Sequence, residues 1–288
     1  MKNPEKPVIS DTTLHPPSEA GIVARLCAPA AEFYSVECVG VVDSTNTIAK
    51  RMAAEGCAAG KVIVADGQTA GRGRLGRAFH SPRGTGLYLS VVLRPQDELA
   101  KPEFITTAAA VAVCRAIEST AATRPAIKWV NDVLIGDRKV CGILTEGSAS
   151  RAGGLDFAVL GIGINLVWPK GGFPADIAGT AGALFKGEVP PADLPDRVAA
   201  AVLSNFAKLY VLPSADPSEI VRLYKSYCTT PGKHITVICG SSRRPALALG
   251  LDDSLHLLVR YDDGEEEALA FGEISIRPDD KQTDTESK

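Results

Sequence analysis

Apolar and polar positions follow one another along most of the chain in short runs that predict a protein of mixed strands and helices. The runs 61–66, 87–94 and 157–165 are short and rich in Val, Ile and Leu, which is typical of buried strands. Residues 102–120 instead place larger apolar side chains among alanines behind a proline, which predicts a buried helix. We therefore expect an α+β fold.

The same reasoning predicts the other elements of the larger part of the chain. A strand from residue 33 leads into a helix at 45–56, for which Ser44 is the natural N-cap. A hairpin is predicted around the turn 136–138, from strand alternation and turn chemistry. Helices are expected in three further segments: 21–31 (as one helix), about 192–212 and about 217–229.

A change of pattern after the Pro231-Gly232 pair marks a domain boundary. Beyond it, four or five short strands with evenly spaced turns predict a small β-barrel. The chain is accordingly divided into four parts: a leader at 1–33, a main domain at 34–229, the barrel at 230–278 and a polar tail at 279–288 that is expected to be disordered.

Composition and charge narrow the classes of function. The chain has 288 residues, 45% of them apolar, and a formal net charge of −3, which disfavours a protein that coats nucleic acid. The N-terminus lacks the apolar segment of a secretory signal, and no apolar run approaches the ~20 residues of a membrane span, so we expect a cytoplasmic protein without a membrane partner. Seven scattered cysteines predict reduced thiols, and four scattered histidines predict no fixed metal site.

The run 71–77 reads GRGRLGR, in which three glycines are interleaved with three arginines. Glycine lets the backbone approach a ligand, successive N–H groups can cradle an anion, and arginine adds forked donors that match phosphate or carboxylate. The run also satisfies G-x-G-x-x-G, but Pro82 and Gly84 oppose the helix that a dinucleotide-binding turn requires. We interpret it as an anion-binding loop, with a solvated surface loop as the alternative.

Polar residues at strand ends are further candidates for ligand binding. Ser44, Thr45 and Asn46 follow a strand and begin a helix, where they either cap the helix or contact a ligand. Gln68 precedes the arginine-rich loop, and its amide can donate and accept hydrogen bonds at once, which suits a ureido or amide ligand. A plain turn residue is the alternative for Gln68.

The predicted hairpin carries a second group of candidates. Lys139 opens its second strand, where a lysine is usually a solvated edge charge, but here it can meet developing phosphate charge. Asn131 and Asp132 suit ribose hydroxyls or a metal-bound phosphate, with an Asx-turn as the alternative. Two glycines in the strand 161–165 imply close approach by a ligand or another backbone, and Asn165 is a candidate for contact with adenine.

Taken together, these segments resemble the biotin protein ligase family. The matching segments are DSTN at 43–46, QTAGRGRLGR at 68–77, LYLS at 87–90, KWVND at 128–132, DRKVCGIL at 137–144, GIGIN at 161–165 and GEISIR at 272–277. They occur in the family's order and spacing across about 35–278. Val130 departs from the proline that is usual in the family. The short leader makes the chain similar to the class without an N-terminal DNA-binding domain, so no DNA binding is expected.

The resemblance implies a class II synthetase-like fold, with a mixed β-sheet covered by helices on one side and an SH3-like C-terminal β-barrel. It implies an enzyme, a biotin–[biotin carboxyl-carrier protein] ligase, that joins biotin to ATP, with Mg²⁺, to give biotinyl-5′-AMP and pyrophosphate. Biotin would then pass to one lysine of the carrier domain of a biotin-dependent carboxylase. That carrier is the implied partner, and a homodimer is left open.

The resemblance also implies roles, residue by residue. The catalytic residues would be Lys139 and Arg72, within the domain 34–229. The biotin site would comprise Ser44, Thr45, Asn46, Gln68, Gly71, Arg72, Gly73, Arg74 and Lys139. The nucleotide would lie near Asn131, Asp132 and Asn165.

Two alternatives remain open at this point. A lipoate or octanoate ligase shares the architecture and the adenylate chemistry, but its loop motif differs from the run 71–77. A nucleic-acid-binding protein that uses the Arg/Gly loop is disfavoured by the net charge and by the lack of an aromatic base-stacking pattern.

Overall fold

The computed structural model describes residues 14–95, 101–149, 155–270 and 272–276. The chain divides into two compact units, Met1–Tyr227 and Cys228–Lys288. The predicted tail at 279–288 and the first part of the predicted leader lie outside the described residues.

Within the described residues, the first unit is built on a seven-stranded mixed sheet. Its strands are β1 Ser35–Val42, β2 Lys61–Gln68, β3 Gly86–Leu93, β4 Ala126–Lys128, β5 Asp132–Ile135, β6 Arg138–Ala149 and β7 Leu155–Asn165. They lie in the order β1-β2-β3-β7-β6-β5-β4. β1 and β2 are parallel, and the other neighbours are antiparallel. The three runs predicted as buried strands thus form the adjacent strands β2, β3 and β7.

The described α-helices of this unit join or cover the strands. They are α1 Glu19–Val23, α2 Ala28–Phe33, α3 Thr45–Ala54, α4 Pro102–Ala121, α5 Leu194–Phe206 and α6 Pro217–Tyr227. The predicted helices at 45–56, 102–120 and 217–229 correspond to α3, α4 and α6. The mixed sheet with packed helices is the expected fold class, which is confirmed.

Different helices cover the two faces of this sheet. The Oγ1 atoms of Thr106 on α4 and Thr145 on β6 are 2.8 Å apart, and Thr145 pairs with Leu160 of β7. α5 packs against α4 and β3. By contrast, Ala49 of α3 packs in a cluster with Val159, which points to the opposite face from Leu160 because side chains alternate along a strand. α4 and α5 therefore cover one face, and α3 packs on the other. The mixed sheet with helices is as expected, but the helices are not confined to one side of it, because apolar side chains of β2, β3 and β7 also point toward α3.

Residues 21–31 form two helices, not the single helix expected. α1 ends at Val23 and α2 begins at Ala28, with Pro29 in its first turn. Proline fits a first turn because it has no N–H to donate, but it interrupts a helix that would continue into it. Near the other end of the unit, the segment 192–212 forms α5 and then a π-helical turn at Ala207–Val211.

Helix α4 reaches the length and apolar composition of a membrane span, which the apolar runs of the sequence did not indicate. It is 20 residues long, and 67% of its most apolar window is buried inside the protein. It contacts α5, α6 and β6. Its apolar residues are therefore largely accounted for by the core of the first unit.

Within the described residues, the second unit is a five-stranded antiparallel sheet. Its strands are β8 His234–Cys239, β9 Ser242–Leu251, β10 Leu257–Tyr261, β11 Glu266–Leu269 and β12 Glu273–Ile276. They lie in the order β11-β10-β9-β8-β12, so the last strand pairs with the first. A small all-β unit thus occurs where the C-terminal barrel was expected.

Candidate active site

A cleft that is open to solvent lies on the face of the sheet that carries α3. Its walls come from the start of α3, the arginine-rich loop 71–77 and the hairpin β5–β6. Most of the residues proposed from sequence line it together: Ser44, Thr45, Asn46, Gln68, Arg72, Gly73, Arg74, Asn131 and Lys139. Residues that are far apart in the sequence therefore form one site.

Three glycines of β6 and β7 leave room for side chains that reach over the sheet. A Cβ atom at Gly161 would collide with the amide of Asn46, and one at Gly163 would collide with the ring of Phe79. A Cβ atom at Gly142 would lie 3.1 Å from the same ring. The close approach expected at Gly161 and Gly163 is present, and the approaching groups are side chains of this chain.

A buried polar network orients the groups at the β2 end of the cleft. Ser90 is fully buried, and its Oγ lies 2.6 Å from Oδ1 of Asn46 and 2.8 Å from Oγ1 of Thr45. The backbone N–H of Thr45 donates to Oε1 of Gln68 at 2.9 Å. The Gln68 amide in turn donates to Oγ of Ser81 at 3.0 Å. Because the amide carries two hydrogens, Gln68 can donate to a ligand as well.

Ser44 occupies the N-cap position of α3, but its side chain makes no capping hydrogen bond. Its backbone N–H donates to Oδ1 of Asp43 at 2.6 Å. Ser44 is buried and lines the cleft. The capping interpretation is therefore wrong for the Ser44 side chain, and its contact with a ligand stays a prediction.

Glu146 on β6 binds three neighbours of the cleft. Its carboxylate accepts from Nδ2 of Asn46 at 2.9 Å, from Nζ of Lys50 at 3.1 Å and from Nη2 of Arg72 at 3.2 Å. Burial raises the pKa of Glu146, but the hydrogen bonds from Asn46 and Lys50 and the charges of Lys50 and Arg72 outweigh burial and hold the pKa below its ordinary value. Glu146 is therefore ionised at neutral pH and anchors Arg72.

Arg74 is held at the other wall of the cleft by an asparagine. Its Nη1 donates to Oδ1 of Asn131 at 3.0 Å, and Nδ2 of Asn131 donates to the carbonyl of Ile143 at 2.9 Å. The backbone N–H of Ile143 donates to the carbonyl of Asn131 at 3.1 Å. The Asn131 side chain therefore fixes the loop arginine to the sheet.

Lys139 is held by both its backbone and its side chain. Its N–H donates to the carbonyl of Thr180 at 2.7 Å, and its carbonyl accepts from the N–H of Gly182 at 2.8 Å. Nζ lies 2.6 Å from Oδ1 of Asp132. The ammonium group is therefore fixed at the cleft while its side chain remains about one-third exposed.

Gly71 and Asp132 act on the cleft from outside its lining. A Cβ atom at Gly71 would collide with Oγ of Ser81, so glycine lets the loop begin close to that hydroxyl. Asp132 contacts the site through its ion pair with Lys139.

Asn165, like Asp132, is a proposed nucleotide-binding residue that does not line the cleft. It is buried at the end of β7, and its Nδ2 donates to the carbonyl of Gly182 at 2.8 Å. In this structure its side chain therefore fastens the segment after β7, and a role in nucleotide binding stays a prediction.

Several residues of the site were not proposed from sequence, among them Glu146, Ser90 and Phe79. Ser90 had a detectable signal, because it is a small polar residue inside a run of largely apolar strand residues. Glu146 had none, since it looks like an ordinary polar residue of an alternating strand. Phe79 could have been linked only to the glycines of β7, which lie more than 80 residues away in the chain.

The described residues contain no group of three or more His, Cys, Asp or Glu side chains that could hold a metal ion. The charged residues that line the cleft are Arg72, Arg74 and Lys139, all of them cations. The cleft is therefore suited to anions.

Comparison with known proteins agrees with this chemistry. A model of the Biotin/lipoate A/B protein ligase family matches residues 39–165. The bifunctional ligase/repressor BirA of Bacillus spizizenii is 34% identical over 227 residues, which are 78% of this chain and 69% of that protein. The chain belongs to the biotin protein ligase family. A second relative is the biotin–[acetyl-CoA-carboxylase] ligase of Paracoccus denitrificans, which is 31% identical over 76% of this chain and 91% of the relative.

Solved structures of the family have the same fold. The biotin protein ligase from Aquifex aeolicus in complex with biotin and ATP superimposes with a TM-score of 0.66 at 27% identity. The match covers 85% of this chain and 99% of the Aquifex chain. The expected family is therefore confirmed, and the chain is a ligase.

Proposed function

We propose that this ligase activates biotin with ATP and transfers it to a lysine of the biotin carrier domain of a biotin-dependent carboxylase. The first step would form biotinyl-5′-AMP and pyrophosphate. The second would form an amide with the lysine side chain and release AMP. The observation that carries the proposal is the arrangement of a fixed amide at one end of the cleft and of cations at the other.

The two ends of the cleft differ in chemistry. Gln68 ends β2 and is oriented by Thr45 and Ser81, so this end offers directed donors and acceptors for a polar ring such as the ureido ring of biotin. Lys139 lies on β6, three strands away in the sheet order, or about 14 Å at the usual strand spacing. An elongated acid would therefore place its ring at Gln68 and its carboxylate among the cations.

The cations suit a reaction between two anions. A carboxylate and a triphosphate repel each other, and Lys139, Arg72 and Arg74 offset that repulsion where charge accumulates on phosphorus. Mg²⁺ bound with ATP supplies further charge neutralisation. A carboxylate oxygen attacks the α-phosphorus, the bond to the bridging oxygen breaks, and pyrophosphate leaves with the electron pair.

The transfer step needs no covalent intermediate on the ligase. The amine of the acceptor lysine attacks the carbonyl carbon of the adenylate, the bond to the phosphate oxygen breaks, and the amine loses a proton as AMP leaves. Since both steps are displacements, alignment of the reactants in the cleft can supply much of the rate.

Pyrophosphate release tests the first step and distinguishes a biotin ligase from a lipoate or octanoate ligase. The protein is incubated with ATP and Mg²⁺ plus biotin, lipoate or octanoate in turn. We expect release with biotin alone, because the dithiolane ring of lipoate and the methyl end of octanoate cannot satisfy the Gln68 amide. Release with lipoate or octanoate and none with biotin would assign the chain to the other ligase type.

A carrier assay tests the second step. A purified biotin carrier domain is incubated with the ligase, ATP, Mg²⁺ and biotin, and its mass is measured. We expect the mass increase of one biotin, abolished when the acceptor lysine of the carrier is replaced by arginine. Adenylate formation without any modified carrier would restrict the proposal to the first step.

A further inference from the structure

One carboxylate oxygen of Glu146 forms ion pairs with two cationic side chains. Nζ of Lys50 lies 3.1 Å from Oε1, and Nη2 of Arg72 lies 3.2 Å from the same atom. The other oxygen, Oε2, accepts from Nδ2 of Asn46 at 2.9 Å. The side chain of Glu146 is 17% exposed, whereas those of Lys50 and Arg72 are 41% and 48% exposed.

Because of this arrangement, breaking the ion pair between Arg72 and Glu146 costs little free energy. A half-buried carboxylate that loses its only cation bears an unpaired charge, which is costly. Glu146 would still be paired with Lys50 and hydrogen-bonded to Asn46 after Arg72 has moved. Departure of Asn46 would instead disturb Ser90, which is fully buried. Of the three partners, Arg72 belongs to a loop and is the most exposed, so it is the one that can leave.

Arg72 also lies where a substrate anion would compete with Glu146 for it. It lines the cleft beside Gly73 and Arg74, where an anionic ligand would lie. Guanidinium binds carboxylate and phosphate through the same forked geometry, so a substrate anion competes directly with Glu146 for Arg72.

We propose that Glu146 is a positioning residue that holds Arg72 at the cleft of the ligand-free enzyme and gives it up to the anion of the substrate. Lys50 keeps the carboxylate paired during this exchange and weakens its hold on Arg72 by competing for the same oxygen. The role of the substrate in this inference rests on the proposed function, whereas the loop contact in the free protein does not.

Two conservative variants test the exchange because they have opposite effects on Arg72. Glu146→Gln removes the anion but keeps an acceptor for Asn46, so Arg72 is released. Lys50→Gln removes the competing cation, so Arg72 is held more tightly. The readout is the rate at which trypsin cleaves the loop 71–77 of the full-length protein without ligand. We expect Glu146→Gln to raise that rate about two- to fivefold and Lys50→Gln to lower it by a similar factor, the range that an exposed ion pair produces.

Steady-state kinetics provides a second readout. The KM for biotin is expected to fall about two- to fivefold in Glu146→Gln and to rise by a similar factor in Lys50→Gln, with kcat changing less, because the competition affects binding in the ground state. Glu219→Gln is the matched control, since it breaks another exposed ion pair, with Arg115 at 3.1 Å, and does not line the cleft. It should leave loop cleavage and KM unchanged.

The outcomes separate this inference from the proposed function. If both variants shift loop cleavage in the same direction, or neither shifts it, the exchange is wrong even if the parent binds biotin. If Glu146→Gln does not fold, slower cleavage in Lys50→Gln supports the exchange and unchanged or faster cleavage overturns it. If cleavage shifts in opposite directions but the parent does not bind biotin, the proposed function fails and the loop contact is upheld.

Discussion

Nζ of Lys139 lies 2.6 Å from Oδ1 of Asp132, which starts the neighbouring strand of the β5–β6 hairpin. Lys139 lines the cleft and Asp132 does not. The aspartate therefore acts through the lysine, by setting where its charge lies. The pair places one compact cation beside Gly142 of β6, where a Cβ atom would lie 3.2 Å from Nζ of Lys139.

Lys139→Ala should damage adenylate formation far more than transfer. Loss of one group that stabilises charge in the transition state typically lowers the rate by ~10²–10³-fold. Pyrophosphate exchange measures the first step, and transfer from synthetic biotinyl-AMP to a carrier bypasses it. Lys208→Ala, at an exposed site outside the cleft lining, is the control. Intact exchange in Lys139→Ala would remove Lys139 from its proposed role.

Arg72→Ala should release the reactive adenylate. Arg72 belongs to the loop that walls the cleft, so its loss should open the site to water and to passing amines. Adenylate should form more slowly, escape, and label lysines of bystander proteins. Biotin on added albumin is the measurement, and Arg222→Ala, at a largely exposed site on α6, is the control. Labelling no greater than that of the parent would contradict a lid function of the loop.

Gly161→Ala should impair biotin binding because the new methyl group would displace Asn46. That amide accepts from Ser90 and donates to Glu146, so its movement disturbs both ends of the network. Overpacking of this kind costs about 1–3 kcal/mol, or roughly a 5- to 150-fold loss of affinity if it is expressed wholly in binding. Calorimetric titration with biotin measures it.

Gly40→Ala is the matched control for that substitution. Gly40 lies on the edge strand β1 of the same sheet, and nothing lies within 4 Å of a Cβ atom placed there. Its affinity for biotin should equal that of the parent. Equal losses in both variants would point to a general effect on the sheet and would contradict the role given to Asn46.

The stability difference between the parent and Glu146→Gln should depend on pH. The folded state holds the pKa of Glu146 below its ordinary value, so the carboxylate stabilises the fold above the unfolded pKa of about 4.3. This contribution is lost as the pH falls through the lower, folded pKa. Urea denaturation should therefore show the parent to be more stable at pH 7, with a smaller difference below about pH 4. A difference that grows on acidification would contradict this assignment.

Local patterns in the sequence determined much of the fold. The strands β2, β3 and β7 and the helix α4 were predicted because each keeps its own apolar pattern, whichever elements surround it. The arginine-rich loop was predicted to bind anions for the same reason, since glycine and arginine carry that chemistry in the residues themselves. Pro29 also explains why α1 and α2 are separate helices, although a single helix was expected there.

The tertiary structure alone decided which polar residues meet. Asn46 is 44 residues from Ser90 and 100 residues from Glu146, and no local pattern links them. They meet because the register of β3, β7 and β6 sets Ser90 opposite Gly161, and Gly161 leaves the space that the Asn46 amide fills. The same packing turns Asn165 toward Gly182 and away from the cleft lining. The residue types in the sequence thus determined which chemical groups this protein has. The pairing of distant strands decided which of those groups meet, because a side chain's partners depend on register and burial.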